Sequence, residues 1–267
     1  MDVSVIIPHY GDTSTLKRAI ESALDQTLPP QEIIVVDDAS PVQDREALAR
    51  LVKELSPSVR VVQLHENSGP GGARNAGWDA AGGDVVAFLD SDDSWLPTKL
   101  ERQCGALESQ ALDLVGGPNV WLALGDTTSE QGPRNAAVVT RRALLFKNRF
   151  ATSSVMVRRE VGLRFNAERR YAEDYELWLR LHLNGMRLGR LPTPLSVSYK
   201  RPFGDSGLSA NLAAMARNQL HVYYRARADR LLSFGEWLVA SAWSVARSGR
   251  RFVKSFAFRV FENRRPR

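Results

Sequence analysis

The stretch Val85-Val86-Ala87-Phe88-Leu89-Asp90-Ser91-Asp92-Asp93-Ser94 decides the fold, because five apolar residues are followed by three carboxylates within four positions. A continuously apolar strand is typical of a parallel sheet that is covered on both faces. Ligands of open α/β sheets bind beyond the carboxyl ends of such strands. The stretch therefore predicts a buried strand that presents acids at a ligand-binding edge. A solvated acidic turn is the alternative interpretation of an isolated Asp-x-Asp.

The chain before this stretch alternates apolar strands with amphipathic helices. Strands are expected at residues 3–7, 32–36 and 59–64, and helices at residues 15–26, 43–55, 73–81 and, beyond the acids, 97–110. This alternation predicts an α/β protein with a mostly parallel sheet flanked by helices. Pro8 ends the first strand and Asp37-Asp38 end the second, so these residues should share one edge with Asp90, Asp92 and Asp93.

Beyond residue 112 the pattern loosens and predicts a mixed subregion. Strand-like segments occur at residues 112–115, 120–124 and 153–158, an extended segment at 192–201, and a strong helix at 175–184 that Gly185 ends. Polar loops are expected at residues 125–135 and 202–207.

Composition narrows the class of protein. The chain has 267 residues, is 43% hydrophobic, and contains one cysteine, Cys104, which we expect to be buried in a helix of a protein from a reducing compartment. Residues 1–8 enter a strand without a basic leader, and no apolar run approaches the roughly 18 residues of a spanning helix, so a cytoplasmic protein is expected. The net charge of +6 is concentrated from Arg217 onward, where twelve basic residues face three acids, so we expect no nucleic-acid partner for the main domain.

Five pieces of the sequence together resemble glycosyltransferase family 2, a group of inverting enzymes that use nucleotide sugars and have the GT-A fold. They are Val3 to Pro8, Ile33 to Ser40, Gly69 to Gly77, Phe88 to Asp93 and Glu173 to Arg180. The resemblance implies a nucleotide-sugar-binding half over residues 1–112, an acceptor-binding half over 113–210 and a basic helical extension over 211–267. The Gln-x-x-Arg-Trp pattern of processive synthases is absent, which favours transfer of a single sugar.

The resemblance also implies roles for the acids at the sheet edge. Asp38, with Asp37 beside it, would accept hydrogen bonds from the base of the donor nucleotide, commonly uridine. Asp90 would face the ribose and phosphates, with Pro8 also at the donor site, and Asp92 would bind the Mn²⁺ or Mg²⁺ that bridges the diphosphate. The implied partners are a nucleotide-diphosphate sugar and a glycan or lipid-linked acceptor.

Two further residues receive roles from the same resemblance. Arg74, after a glycine-rich loop, would add positive charge near the donor, unless it is a surface arginine on a crossover helix. Asp174 would be the general base, which a helix N-terminus should keep ionised at neutral pH. The alternative for Glu173 and Asp174 is that they cap a helix. Apart from the resemblance, the position of Lys200 and Arg201 ahead of the loop Gly204 to Gly207 predicts that they close over the donor diphosphate. Trp95 and Trp178 are expected to pack rather than to stack on sugars.

The basic tail is expected to be an amphipathic helix. Its apolar stripe comprises Phe234, Leu238, Ala242, Val245, Gly249, Phe252, Phe256 and Val260, with Arg247, Arg251 and Lys254 largely on another face. Such a helix favours an anionic membrane surface, and so a peripheral location at the inner face of the plasma membrane. Packing on the catalytic domain or on a second subunit is the alternative.

Other functions fit parts of the pattern. Asp90 and Asp92 loosely match the Asp-x-Asp-x-Thr of haloacid dehalogenase-like phosphatases, although that motif usually follows the first strand. A dinucleotide-binding loop would need a small residue where Arg74 stands, and no Gly-x4-Gly-Lys-Ser/Thr loop exists. A catalytically silent sugar-nucleotide-binding module also remains, although carboxylates at positions 90, 92 and 174 weigh against it.

Overall fold

The computed structural model describes residues 1–122, 132–200 and 212–262, with the side chains of 212 and 251–262 left out. The chain forms two compact units, Met1–Arg201 and Pro202–Arg267. The predicted boundary at residue 112 falls within the first unit, and the predicted start of the extension at residue 211 lies outside the described residues. So do residues 202–207, Arg201 and most of the predicted loop at 125–135.

The first unit begins with the predicted alternation of strands and helices. Its elements up to the acidic stretch are β1 (Val3–His9), α1 (Leu16–Leu24), β2 (Glu32–Asp37), α2 (Val42–Leu55), β3 (Val59–Gln63), α3 (Gly69–Ala80) and β4 (Val85–Phe88). The later elements are β5 (Asp93–Trp95), α4 (Lys99–Ser109), β6 (Leu114–Gly116), β7 (Asn119–Trp121), β8 (Ala137–Val138), α5 (Arg141–Phe146), a 3₁₀ turn (Thr152–Ser154), β9 (Met156–Arg158), α6 (Glu173–Leu183), β10 (Leu188–Arg190) and β11 (Ser196–Ser198).

The main sheet has eight strands in the order β3-β2-β1-β4-β9-β6-β10-β8. The four strands from β3 to β4 are all parallel, which confirms the predicted parallel half. The strand β9 then runs antiparallel to both β4 and β6, whereas β6 and β10 are parallel. The carboxyl ends of β1, β2, β4, β6 and β10 therefore meet at one edge, together with the start of β9. A second sheet, in the order β5-β11-β7, lies beyond β4 in the chain.

Both faces of the parallel half are covered, as its continuously apolar strands predict. One face carries Val5, Ile7 and Val35, which pack with the apolar residues of α1, α2 and α4. The other face carries Phe88, whose ring lies 5.4 Å from Trp78 of α3 and 6.3 Å from Trp178 of α6. Trp178 and Trp95 are both buried, so the prediction that they pack in the interior is confirmed. Cys104 is buried in α4, also as predicted.

The helix α3 begins earlier than the sequence predicts. The expected helix starts at Ala73 after a glycine-rich loop, but the observed helix starts at Gly69, so the glycines form its first turn. Gly69 has φ +71°, and Pro70 occupies the first turn, where a missing N–H costs no hydrogen bond. The consequence is that Arg74 lies in the second turn of α3 rather than at its start.

The second unit contains the helices α7 (Leu212–Ala228) and α8 (Phe234–Glu262), which contact each other. The helix expected from Phe234 onward is confirmed. Within the described part of the chain, no helix combines the length and the apolar character needed to cross a membrane.

Gly77 sets how closely α3 approaches the sheet, which gives a test of the packing. A Cβ at this position would lie 2.5 Å from Cγ2 of Ile6 and 2.9 Å from Cγ2 of Val36. We predict that Gly77→Ala lowers the free energy of unfolding by about 1–3 kcal/mol, because close-packed interiors do not accommodate an added methyl group. The control is Gly105→Ala in α4, which meets no atom within 4 Å and should be neutral or stabilising by up to about 1 kcal/mol. Urea unfolding of both variants makes the comparison, and equal midpoints would contradict the prediction.

Candidate active site

A buried arginine joins three elements at the ligand edge. The Arg74 side chain is 5% exposed, and its two terminal nitrogens donate to Asp90 Oδ1 at 2.7 Å and to Glu173 Oε1 at 3.1 Å. It therefore links α3, the end of β4 and the first turn of α6. The surface-arginine interpretation of Arg74 is wrong, because the guanidinium is enclosed between two carboxylates.

Two of the three acids after β4 converge on one serine. Ser153 donates its hydroxyl to Asp93 Oδ2 at 2.6 Å, and its Oγ accepts the N–H of Asp90 at 3.2 Å. The pKa of Asp93 is raised to about 7, mainly by burial and next by the charge of Asp90, while the hydrogen bond from Ser153 lowers it. The 3₁₀ turn that carries Ser153 thus fixes the shape of the acidic turn.

Buried polar groups of β5 and α4 hydrogen-bond to the backbone of the 3₁₀ turn. Trp95 donates its indole N–H to the carbonyl of Ser153 at 2.7 Å, and Gln103 donates to the carbonyl of Ser154 at 2.6 Å. The Gln103 amide oxygen accepts in turn from the ammonium of Lys99 at 2.7 Å. Lys99 is fully buried, and its Nζ lies 3.8 Å from the ring centroid of Trp95. The backbone beneath the site is therefore rigidly supported.

Asp174 lies in the first turn of α6, where the sequence predicts it. Its Oδ1 accepts the N–H of Tyr175 at 2.6 Å, and its Oδ2 accepts from Asn148 at 3.0 Å and from Thr152 at 3.4 Å. Burial raises the pKa of Asp174, against the lowering effects of the Tyr175 N–H and of Arg74. The sequence predicts that the helix N-terminus keeps this carboxylate ionised, but burial has the larger effect on its pKa. The residue that precedes α6 is Ala172, at φ 58° and without a side-chain cap, so Glu173 and Asp174 contact other elements rather than only capping the helix.

Asp92 points away from this network toward a basic residue. Its Oδ2 lies 2.6 Å from Nζ of Lys200, and its carboxylate is 30% exposed. Its carbonyl accepts from Arg18, whose guanidinium stacks on Tyr199 at 3.6 Å. Lys200 thus lies beside Asp92, and its expected role of closing over the donor diphosphate stays a prediction. In residues 1–122, 132–200 and 212–262, no cluster of three or more His, Cys, Asp or Glu is arranged to hold a metal.

The acids after β2 lie at the same edge but already have protein partners. Asp38 is 4% exposed and accepts the N–H of Ser68 at 2.7 Å, before the first turn of α3. Burial raises its pKa. Asp37 accepts the N–H of Ser40 at 3.1 Å. Pro8 lies in β1 opposite Val36 of β2. Their proposed roles toward a nucleotide base stay predictions.

The sequence-based interpretation missed Asn148, Thr152 and Ser153. All three hydrogen-bond to the acids, yet they belong to segments of no recognisable motif. One signal was present, since the polar run Thr152-Ser153-Ser154 comes just before an apolar strand. In a strand that runs away from the ligand edge, the residues before the strand lie at that edge, and residues after it do not.

The buried carboxyl group of Glu173 makes stability depend on pH. Its pKa is raised to about 7, mainly because the group is buried; the charge of Arg74 lowers it and the charge of Asp174 raises it. Between the ordinary pKa of glutamate and pH 7 the folded protein keeps a proton that the unfolded chain has lost, so stability falls as pH rises through this window.

We predict that Glu173→Gln, which cannot titrate, loses less stability than the wild type between pH 5 and pH 8, by on the order of 1–3 kcal/mol. Urea unfolding at the two pH values measures this difference. The matched control is Glu168→Gln, an exposed residue on the approach to α6, which should follow the wild type. Parallel pH profiles for the wild type and Glu173→Gln would contradict the prediction.

Comparison with known proteins identifies the family. The family model described as glycosyl transferase family 2 matches residues 4–168, more than half of the chain. The amylovoran biosynthesis glycosyltransferase AmsE of Erwinia amylovora is 31% identical over 198 residues, which cover 72% of this chain and 74% of AmsE. The chain spans about half the length of other curated relatives that it matches, 52% and 50% of two of them.

Two solved structures share the fold at low sequence identity. S. aureus TarS 1-349 in complex with UDP-GlcNAc has a TM-score of 0.65 at 21% identity, over 90% of this chain and 72% of that one. The mannosyltransferase PcManGT from Pyrobaculum calidifontis, in complex with GDP-Man and Mn²⁺, has a TM-score of 0.67 at 18% identity, over 96% and 75% of the two chains. The predicted GT-A type fold is thus confirmed, and the phosphatase and dinucleotide-binding alternatives are wrong. The chain belongs to glycosyl transferase family 2.

Proposed function

We propose that the protein is an inverting, metal-dependent glycosyltransferase that moves one sugar from a nucleotide-diphosphate donor to a hydroxyl group of a glycan or lipid-linked acceptor. The observation that carries this proposal is the contact of one guanidinium, that of Arg74, with Asp90 at 2.7 Å and Glu173 at 3.1 Å. Through this guanidinium, Asp90 after β4 and Glu173 in the first turn of α6 are held close to each other. Donor-side and acceptor-side groups of a transfer reaction need this proximity.

The base in this proposal is Asp174. Its carboxylate would accept the proton of the acceptor hydroxyl while that oxygen attacks the anomeric carbon on the side opposite the diphosphate. The bond from the anomeric carbon to the diphosphate breaks as the new bond to the acceptor oxygen forms, so the configuration inverts. Hydrogen bonds from Asn148 and Thr152 to Oδ2 would orient the carboxylate for this task.

Asp92 is the residue that we propose to hold a divalent cation. A partly exposed carboxylate oxygen suits Mg²⁺ or Mn²⁺, which commonly bind through one or two carboxylates while substrate phosphates and water complete the coordination. The absence of a three-ligand cluster among the described residues fits such a shared site. The cation would neutralise charge on the leaving diphosphate. The similarity to PcManGT, with its GDP-Man and Mn²⁺, supports this part of the proposal.

For the donor we propose a uridine nucleotide sugar bound near Pro8, Asp37, Asp38 and Asp90, with guanosine as the second base to test. The fold is shared with TarS in complex with UDP-GlcNAc and with PcManGT in complex with GDP-Man. The similarity to AmsE, an amylovoran biosynthesis glycosyltransferase, favours a role in bacterial surface polysaccharide assembly.

Thermal unfolding tests donor and metal together. We predict that UDP or GDP with Mn²⁺ raises the Tm of the wild type, that a chelator abolishes most of the increase, and that Asp92→Asn removes the metal-dependent part. Asp79→Asn, an exposed aspartate in α3, is the matched control and should respond like the wild type. No increase with any nucleotide at saturating concentration would contradict the donor site.

Activity tests the base separately. We predict that Asp174→Asn lowers kcat by about 10²–10⁴-fold, because it removes general base catalysis, and that it keeps the nucleotide-dependent increase in Tm. Release of nucleoside diphosphate in the presence of an acceptor panel measures kcat. Wild-type protein that binds the nucleotide but transfers sugar to no acceptor would instead favour the catalytically silent module.

We also propose that α8 binds an anionic membrane surface at the inner face of the plasma membrane. Its apolar side chains Phe234, Leu238 and Val245 lie on one side of the helix and are 51–61% exposed, whereas Ala240 and Ser244 are buried. The sequence from Arg217 onward carries twelve basic residues against three acids. An exposed apolar stripe next to dense positive charge fits an interface of anionic lipid.

Vesicle sedimentation tests the membrane proposal. The full chain should pellet with vesicles that contain phosphatidylglycerol and stay in solution with pure phosphatidylcholine vesicles. Replacing Leu238 and Val245 by glutamate should reduce the bound fraction by about tenfold or more, since apolar burial drives insertion. Tyr224→Glu, at an exposed position of α7, is the control and should keep binding. Equal binding to both vesicle types would contradict the proposal, and a stable dimer in place of vesicle binding would favour a subunit interface.

A further inference from the structure

Two arginines stand together beside the proposed base. Arg190 ends β10, and its Nε donates to the carbonyl of Arg149 at 3.1 Å. Arg149 in turn donates its Nε to the carbonyl of Ala143 in α5 at 3.0 Å. Arg190 pairs in register with Gly116, the last residue of β6, so the pair lies at the edge where the carboxyl ends of the strands meet.

The segment of Arg149 also reaches the base. Asn148, the residue before it, donates to Asp174 Oδ2 at 3.0 Å. The Asn148 side-chain oxygen accepts the N–H of Phe150 at 3.2 Å, which holds the segment in a tight bend. Consecutive Cα atoms are about 3.8 Å apart. The backbone of Arg149 therefore lies one residue from the contact with Asp174, close enough for its long side chain to meet an acceptor whose hydroxyl group is at Asp174.

Neither guanidinium is neutralised by a protein carboxylate. In the part of the chain that the structure describes, Arg149 and Arg190 hydrogen-bond through Nε to backbone carbonyls and form no ion pair, although both are half-buried. Burial and the charge of Arg149 both lower the pKa of Arg190. Arg74 at the same edge differs, because its guanidinium is paired with the carboxylates of Asp90 and Glu173. Two adjacent, partly desolvated positive charges without counter-charge are costly unless a ligand supplies it.

We infer that Arg149 and Arg190 form a subsite for an anionic group of the acceptor, a phosphate or a carboxylate, carried close to the hydroxyl that is glycosylated. The inference rests on the proposed function and adds the chemical class of its acceptor. Guanidinium groups suit both anions, because their planar array of N–H donors matches two oxygens at once. Since Nε of each arginine is used by the backbone, the terminal nitrogens are the groups left for the ligand.

Binding of small probes tests the subsite without requiring catalysis. Phenyl phosphate and phenyl β-D-glucuronide supply the two anions, and phenyl β-D-glucoside is the neutral match of the glucuronide. Each is titrated calorimetrically into the full chain saturated with UDP and Mn²⁺, or with GDP if that is the nucleotide that raises the Tm. We expect at least one anionic probe to bind at least tenfold more tightly than the glucoside. Whichever anion binds more tightly identifies the chemistry of the acceptor.

Variants assign the effect to the two arginines. Arg149→Gln and Arg190→Gln should each weaken the anionic probe by about fivefold or more and leave the glucoside unchanged. Arg50→Gln, at an exposed position of α2, should change neither. Each variant must keep the nucleotide-dependent increase in Tm, which shows that it is folded; Arg190→Lys, which keeps the charge but loses the planar fork, serves if Arg190→Gln does not fold.

The outcomes separate this inference from the function on which it rests. Equal binding of anionic and neutral probes, or anion binding that both substitutions leave intact, would overturn the subsite while nucleotide binding stands. Failure of the wild type to bind any nucleotide would refute the donor site. The same probe titrations without nucleotide would then still measure whether the two arginines bind the anionic probes.

Discussion

The ion pairs of Arg74 are the constraint on which the rest of the site depends. A guanidinium that is 5% exposed is stable in the interior only if nearby carboxylates offset the cost of its desolvation. Asp90 and Glu173 do so, and each would in turn be destabilised without the cation. Because the three residues come from α3, the end of β4 and α6, the network cannot form unless these elements are correctly placed. It therefore couples the parallel half of the sheet to α6, the helix that carries the proposed base.

The glycines of α3 follow from the same requirement. Arg74 can reach both acids only if α3 lies close to the sheet, and Gly77 permits this approach to Ile6 and Val36. At the other end of the helix, a Cβ on Gly71 would lie 3.3 Å from the carbonyl of Asn166, in the segment that leads to α6. The family motif around Arg74 is thus explained by packing and charge together, with small residues where the backbone is tight and one long cation where two acids meet.

The features that the sequence predicts depend on residues close together in the chain, whereas those that it misses depend on residues far apart in the chain. Apolar strands that end in acids are local patterns, so the position of Asp38, Asp90 and Asp92 at one edge follows from the topology of a parallel sheet. The partners of these acids come from distant segments: Glu173 is 99 residues from Arg74, and Ser153 is 60 residues from Asp93. Serine, asparagine and threonine in a loop carry no periodic signal. Only the fold shows that such residues hold the acids in place.

The environment of Asp174 determines what kind of base it can be. The sequence argument relied on the helix N-terminus, which stabilises the ionised form, but burial has the larger effect and raises the pKa. A carboxylate with a raised pKa is a stronger base when it is ionised, so burial favours proton abstraction near neutral pH. Arg74 limits the increase, because its positive charge stabilises the carboxylate. The cation that assembles the site therefore also keeps the proposed base usable, since a carboxyl group that remained protonated could not accept the proton of an acceptor.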